Sequence, residues 1–539
     1  MRNTNRLWIR LAAGCLALLL FVPARAEDDA QARYDAAQAL FEAGQYQEAY
    51  EAFTALEDYS DSRERAADSQ KKEKAARYKE AVALYEDERY DEAKAIFDSL
   101  GKYKKSASLA DECEWRGNRL RYIQAEELLD AGDYQAALEM FEALGKFRKS
   151  QEYAQAIREQ LASQEQARQE LESYQQGLAL KEAGDLKAAR DAFIASGDCQ
   201  DSTDQLYDVL RLMALERAYE AARDAFDRGD FQAAWEAFAN LGDYQDSAQR
   251  KAQAEEAMRA ETYERAQACL KDDPAMAYVL LLAFAEEEAA GLRASLTDAQ
   301  VYAAADRLSQ EGDFARAQVG FAALSGYQDS GERAGQMARL AQNAQDYHRA
   351  LYLRDLGEQE QANAIFTALG DYEDAASLVE KPVPRIPAKR LRDDHTTPKS
   401  EVFTAPDGSR HVYQIFKGVH TWREAKVFCE ILDGHLATMT TDEENQFVYW
   451  FMRDQGFLTA YFGLSDEQRV GNWIWVTGEP FTYTNWHRGE PSRSGRERYG
   501  MYFYKHLDGT WNDAHFYEDA EVDPGCSYIC EWDLDDPQQ

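Results

Sequence analysis

Gly132-Asp133-Tyr134-Gln135-Ala136-Ala137-Leu138-Glu139-Met140-Phe141 decides how most of this chain is read. Upstream of the glycine, Tyr122, Ala125, Leu128 and Leu129 step mainly by three and four residues, and downstream Tyr134, Ala137, Phe141 and Leu144 do the same. Each run lays its apolar side chains on one face of a helix. Gly132 suits the left-handed residue that ends a helix. The stretch therefore reads as two amphipathic helices joined by a turn, and small Ala137 lets the pair approach closely.

Self-comparison finds the same unit opening at Tyr34, Tyr78, Tyr122, Tyr174, Tyr219, Tyr263, Tyr302 and Tyr347, mostly 44 or 45 residues apart. The first unit supplies Ala37, Leu40, Phe41, Gly44, Tyr46, Ala49 and Phe53, and the fifth Ala222, Phe226, Gly229, Phe231, Ala234 and Phe238. Asp61-Ser62-Arg63-Glu64 and Asp329-Ser330-Gly331-Glu332 are expected to cap the next long helix through a side-chain oxygen. Asp273-Pro274 stands where the sixth unit needs its glycine turn. A single hairpin cannot bury its apolar face alone, so the units stack into an all-α helical-hairpin solenoid over residues 27–380.

The Gly-x-Tyr-x-x-Ala-x-x-x-Phe core resembles tetratricopeptide repeats. The period exceeds the 34 residues of that family, which implies a longer first helix. The resemblance implies a concave face that docks peptides or partner proteins; a spacer holding the C-terminal domain away from a surface is the alternative, and both stay open.

Around this array the chain is acidic, with 61 Lys and Arg against 98 Asp and Glu in 539 residues, a formal net charge of -37. That charge argues against nucleic acid as a partner. Arg2, Arg6 and Arg10 precede the apolar stretch Leu11 to Val22, and Ala24-Arg25-Ala26 offers a cleavage site, so residues 1–26 read as a secretory signal peptide. Ala12-Ala13-Gly14-Cys15 resembles a lipoprotein box, ranked second because most of the apolar run follows Cys15. No transmembrane segment is expected in the mature chain, since a span needs about 20 apolar residues. Export to the cell surface or medium makes disulfides possible. Cys113, Cys199 and Cys269 lie in helical sequence without metal-ligand spacing and read as buried thiols.

Lys381-Pro382-Val383-Pro384-Arg385-Ile386-Pro387-Ala388-Lys389-Arg390 breaks the helical pattern, and residues 381–402 read as a Pro-rich basic linker. It either stands solvated or lies back on the acidic helices. Only Pro274 among the 11 prolines lies between residues 24 and 381, whereas seven of the ten tryptophans follow residue 420. A differently built domain begins after the linker.

In that domain Trp422-Arg423-Glu424-Ala425-Lys426-Val427-Phe428-Cys429, Gly434-His435-Leu436-Ala437, Phe462-Gly463-Leu464-Ser465-Asp466, Gly471-Asn472-Trp473-Ile474-Trp475, Tyr483-Thr484-Asn485-Trp486, Gly489-Glu490-Pro491, Trp511-Asn512-Asp513 and Ile529-Cys530-Glu531 occur in order. The set resembles the landmarks of a C-type lectin domain over residues 403–534. The fold class is thus multidomain, an all-α solenoid followed by an α/β (α+β) domain. The resemblance implies a disulfide between Cys429 and Cys530; Tyr499 stands where a second bridge would place a cysteine, leaving Cys526 unaccounted for. Trp473, Trp475, Trp486 and Trp511 read as core and loop packing.

The resemblance also implies one calcium held by Glu490, Ser492, Glu497, Asn512 and Asp513, with two neighbouring sugar hydroxyls completing its coordination on the same side chains. Three carboxylates brought together repel one another, and a divalent cation removes that repulsion. Ser492 stands in place of a longer amide or carboxylate. Arg493, Arg496 and Arg498 offer an alternative, a metal-free loop in which guanidinium groups neutralise Glu490 and Glu497. A second calcium site at Asp466 is not expected, because Val470 and Arg498 replace acidic side chains. Glu490-Pro491 resembles the mannose-type version of the motif, and the arginines raise an acidic glycan as the other choice. No nucleophile and base are spaced for catalysis. The resemblance thus implies an exported, non-enzymatic glycan-binding protein whose array is stalk or protein dock, with a calcium-independent protein-binding adhesion factor as the alternative.

Overall fold

A computed structural model describes residues 26–380 except 325, together with 383, 385–393, 402–417, 421–492, 497–515 and 527–534. The expected signal segment 1–25, Cys15, Cys526, Arg493 and Arg496 lie outside the described residues. The chain divides into two units, residues 1–165 and 166–539.

In the first unit each long helix is followed by a short one: Ala26–Glu42 by Tyr46–Thr54, Ser62–Glu86 by Tyr90–Leu100, and Ser106–Asp130 by Tyr134–Leu144. Long helices of 25 residues account for the extended period. Ala137 and Phe141 are wholly buried against Tyr122 and Ala125, and Ala154 and Ile157 of the following helix close over them. Each turn closes in the same way: at the first, Gly44 N–H donates to Phe41 O and Gln45 N–H to Leu40 O, at 3.1 and 3.0 Å. Gly44 and Gly132 adopt φ near +80° there. In the second hairpin that left-handed position is Glu88, at φ +62°. An L side chain costs roughly 1–2 kcal/mol in this region, so Glu88→Gly is expected to stabilise the first unit by about 1 kcal/mol. Urea unfolding checks it, and an unchanged or lowered midpoint would contradict it.

The capping expectation is corrected. Asp61 and Asp329 precede their helices but make no side-chain cap. Their carboxylates accept the hydroxyls of Tyr34 and Tyr302, the tyrosines that open the same units. Tyr174 and Asp201 repeat the pair at 2.5 Å. Capping falls instead to the aspartate after the turn glycine: Asp133, Asp185, Asp230 and Asp313 each accept from a backbone N–H at 3.2 Å.

In the second unit the hairpins continue to helix Gln359–Leu369. Pro274 takes the first turn of helix Pro274–Leu281, where its missing N–H costs nothing, and Asp273 caps it. Contacts are not purely between neighbours. His348 of helix Ser330–Asp355 pairs with Glu236 of helix Phe231–Leu241, and Tyr352 packs beside Phe238.

The described part of the linker, residues 383 and 385–393, lies back on the helices. Ala388–Asp393 is helical, and Ile386, Ala388 and Leu391 are buried against Tyr174, Phe193, Leu206 and Val209 of the array. Its basic side chains find acidic partners: Arg392 with Glu170 at 2.6 Å, Arg385 with Asp204 at 3.1 Å and Lys389 with Asp198 at 3.6 Å. The same apolar cluster runs on into Trp422, Phe428 and Ile431 of the C-terminal domain. Arg190, buried on helix Leu186–Ala195, donates to Asp433 at 2.5 Å.

The C-terminal domain is built on one eight-stranded sheet with order β1 (Phe403–Thr404), β2 (Arg410–Phe416), β8 (Ser527–Asp533), β4 (Ala460–Ser465), β6 (Glu497–Tyr502), β7 (Trp511–His515). Strand β3 (His435–Leu436) joins β8 and β5 (Ile474–Trp475) joins β4. Helices Trp422–Ile431 and Asp442–Asp454 pack on it, the first closed by a capping box between Thr421 and Glu424. No helix among the described residues is long and apolar enough to cross a membrane.

Candidate functional site

The site forms where the loop that carries Glu490 and Ser492 meets β6 and β7. Trp511, fully buried, anchors β7: its indole N–H donates to Asn445 Oδ1 at 2.6 Å, and its ring packs edge-on to Trp475, Tyr483 and Trp486. The next two residues of that strand are Asn512 and Asp513, opposite Met501 and Gly500 of β6. Gly500 lets β6 lie close on β4, because a Cβ there would lie 2.5 Å from the Phe462 ring. The loop is tied back by Glu490 N–H to His487 O and His487 N–H to Trp511 O, both 2.9 Å, and the Glu490–Pro491 peptide is cis.

These elements bring the sequence-derived set together. Ser492 N–H donates to Asp513 Oδ2 at 2.8 Å, and Ser492 Oγ lies 3.0 Å from the same oxygen while also reaching Glu497 Oε2. The serine, short as it is, sits between the two carboxylates. Its hydroxyl has one hydrogen for two acceptors. Asp513 is almost wholly buried, and its Oδ1 has no hydrogen-bond partner among the described residues. Burial, then Asp513 and Glu497 beside it, push the Glu490 carboxyl up to about 7. Asn512 Nδ2 donates to Asp513 O at 2.6 Å, which fixes its amide at the rim.

Such a set of hard oxygens with excess negative charge and an orphaned buried carboxylate oxygen fits a calcium ion. Arg498 does not serve this loop. It donates to Asp466 Oδ1 at 3.0 Å and Asp466 O at 2.7 Å, so its guanidinium fills the place where a second cation would sit. This corrects the reading of Arg498 as a neutraliser of Glu490 and Glu497; the pairing of β6 with β7 is irregular between Glu497 and Tyr499, and Arg498 turns there to Asp466. Tyr499 stacks on Trp422 at 4.8 Å and donates to Glu467 at 2.9 Å. Cys429 and Cys530 are both buried thiols, and burial followed by the adjoining Cys530 pushes the Cys429 thiol well up.

A cluster that the sequence reading did not single out lies on the sheet face around β8: His411, Tyr413, His435, Glu444, Glu531 and Asp533. The signal was there in the alternation of polar residues His411 and Tyr413 on β2 and Glu531 and Asp533 on β8.

The Lectin C-type domain family model matches residues 418–531. This segment is a C-type lectin domain, set after a helical-hairpin array. The chain is similar to human C-type lectin domain family 4 member D, 34% identical over 96 residues, which are 17% of this chain and 44% of that protein. It is also similar to a C-type lectin mannose-binding isoform of Oxyuranus scutellatus, 28% identical over 110 residues, covering 19% of this chain and 68% of that protein. Among solved structures, the human scavenger receptor C-type lectin carbohydrate-recognition domain is 29% identical, with 24% of this chain and 95% of that one covered and a TM-score of 0.20. The chain spans less than half the length of the human family 4 member D relative. Membership of the domain in this family supports carbohydrate binding.

Proposed function

We propose that the protein is an exported glycan-binding protein whose C-type lectin domain takes one calcium ion at Glu490, Ser492, Glu497, Asn512 and Asp513. The observation that carries this is the buried Asp513 carboxylate, with Oδ1 unpartnered and Ser492 and Glu490 gathered on it. The bound ion supplies coordination positions for two neighbouring sugar hydroxyls. The five side chains hold and orient those hydroxyls, carboxylates and the Asn512 oxygen accepting from them and the Asn512 amide donating. Glu490-Pro491 and the similarity to a protein named as mannose-binding favour a mannose-type sugar. The role is binding and not catalysis. The array serves as stalk or protein-docking scaffold, and residues 1–26 as signal peptide. A glycan array probed with calcium and with chelator tests the reading: mannose-type signals present with calcium and lost with chelator are expected, and equal signals in both would sink it.

In the oxidising setting that export provides, Cys429 and Cys530 form a disulfide, supported by their shared burial and by the contact between them. Closing a loop of about 100 residues contributes roughly 2–5 kcal/mol. Peptide mapping of the secreted protein without reductant should recover the linked pair, and free thiols at both positions would count against it.

A further inference from the structure

His411, His435, Glu531 and Asp533 come from three strands that the sheet places side by side. Strand β8 lies between β2 and β3, with His411 opposite Asp533 and His435 opposite Glu531. Residues 531 and 533 share one face of β8 by the two-residue period, so both histidines face the two carboxylates. His411 Nδ1 lies 2.7 Å from Glu531 Oε1 and 2.7 Å from Asp533 Oδ1, and His435 Nε2 lies 3.3 Å from Asp533 Oδ2. Glu531 is almost wholly buried.

The outer hydrogen bonds fix which imidazole nitrogens carry hydrogen. Ser409 Oγ donates its single hydrogen to Asp407 at 2.7 Å, so it accepts from His411 Nε2 at 3.0 Å. Leu436 O can only accept, so His435 Nδ1, 3.0 Å away, is the donor there. The remaining nitrogens, His411 Nδ1 and His435 Nε2, face carboxylate oxygens; Asp533 and Glu531 push His411 up to about 10, and against the lowering by burial they push His435 up to about 9, so both rings are protonated at neutral pH. Their inner N–H groups donate to the carboxylates, and a metal ion entering here takes the place of those two protons. Two histidines with their far nitrogens held as donors by a hydroxyl and a carbonyl have the outer shell that metal-binding histidines have.

We propose that these four side chains form a site for a divalent transition ion of the zinc class, separate from the Glu490 to Asp513 set. His411, Glu531 and Asp533 each bring one ligand atom within 4.8 Å of the others; His435 stands outside that group of three, its Nε2 3.3 Å from Asp533 Oδ2, and turns inward to supply the fourth position. A tetrahedral zinc with bonds of about 2.0 Å separates its ligand atoms by about 3.3 Å, so the short contacts open by roughly half an ångström. Two imidazoles with two carboxylates suit zinc better than calcium, which takes oxygens alone. On metal entry each histidine gives up the proton that its inner nitrogen otherwise shares with the carboxylates.

The full chain, stripped of metal and titrated with zinc chloride in excess calcium, tests the site. One zinc per chain is expected, with affinity lowered more than tenfold in His411→Gln and in Asp533→Asn and unchanged in Asp513→Ala. Zinc uptake by wild type no greater than by the His411→Gln/His435→Gln double variant overturns the proposal. Should the variants fail to fold, X-ray absorption at the zinc edge of the wild-type complex decides: scattering from two imidazoles is expected, and its absence overturns the site.

Discussion

Asp513→Ala is expected to abolish the rise that calcium produces in the thermal midpoint of the chain's lectin domain. A ligand present at a hundred times its dissociation constant stabilises the native state by about 2.7 kcal/mol, and that is the size of effect to be lost. The residue is chosen because it is the most buried member of the set and its Oδ1 is buried without a hydrogen-bond partner among the described residues. Without calcium the substitution relieves the crowding by Glu490 and Glu497 but also strips Ser492 of the carboxylate that accepts its N–H, so the metal-free midpoint of the variant is measured as its own baseline. The comparison is therefore a difference with and without the ion, which separates lost binding from damaged folding. Ser492→Asn is expected to act in the opposite direction, since an amide oxygen gives calcium a direct neutral ligand and its NH₂ donates to sugar hydroxyls. Calcium leaving the wild-type midpoint unchanged in differential scanning calorimetry would end the calcium-dependent reading.

The second large effect is expected at Arg190. Its guanidinium is buried, held by Asp191 at 2.9 Å and Asp433 at 2.5 Å, at the place where the C-terminal domain meets the array. Burial lowers the arginine's affinity for its proton, but Asp433 and Asp191 outweigh this and raise it. Removing one partner of a buried pair costs about 3–5 kcal/mol because the other charge is left uncompensated. Asp433 retains some exposure and has Lys187 at 3.9 Å, so about 3 kcal/mol is expected for Arg190→Ala. Arg190→Met with Asp433→Asn should recover much of that loss, as a double-mutant cycle by urea unfolding would measure. A loss under about 1 kcal/mol for Arg190→Ala would mean that the apolar cluster alone holds the contact. The same cluster bears on truncation: a chain ending at residue 380 leaves Phe193 and Leu206 without their cover of Ile386 and Leu391. The array thus depends on the linker for the cover of this hairpin.

Local chemistry written in the chain was legible without coordinates. Helical periodicity around Gly132 and its equivalents fixed the hairpins, because an apolar face at steps of three and four has one low-energy backbone. The ordered landmarks from Trp422 to Glu531 marked the C-terminal domain, and the oxygen-bearing residues Glu490, Ser492, Glu497, Asn512 and Asp513 marked its site. What only the tertiary structure decided were pairings between residues far apart in sequence. Asp61 spends its carboxylate on Tyr34, 27 residues away, and not on its own helix. Arg498 turns to Asp466 at an irregularity in the pairing of β6 with β7, between Glu497 and Tyr499. The basic linker settles on the array because Ile386, Ala388 and Leu391 have an apolar seat that no local pattern announces. His411 and His435 meet Glu531 and Asp533 through strand order, which is set by the packing of the whole sheet and lies beyond the reach of any short stretch of sequence.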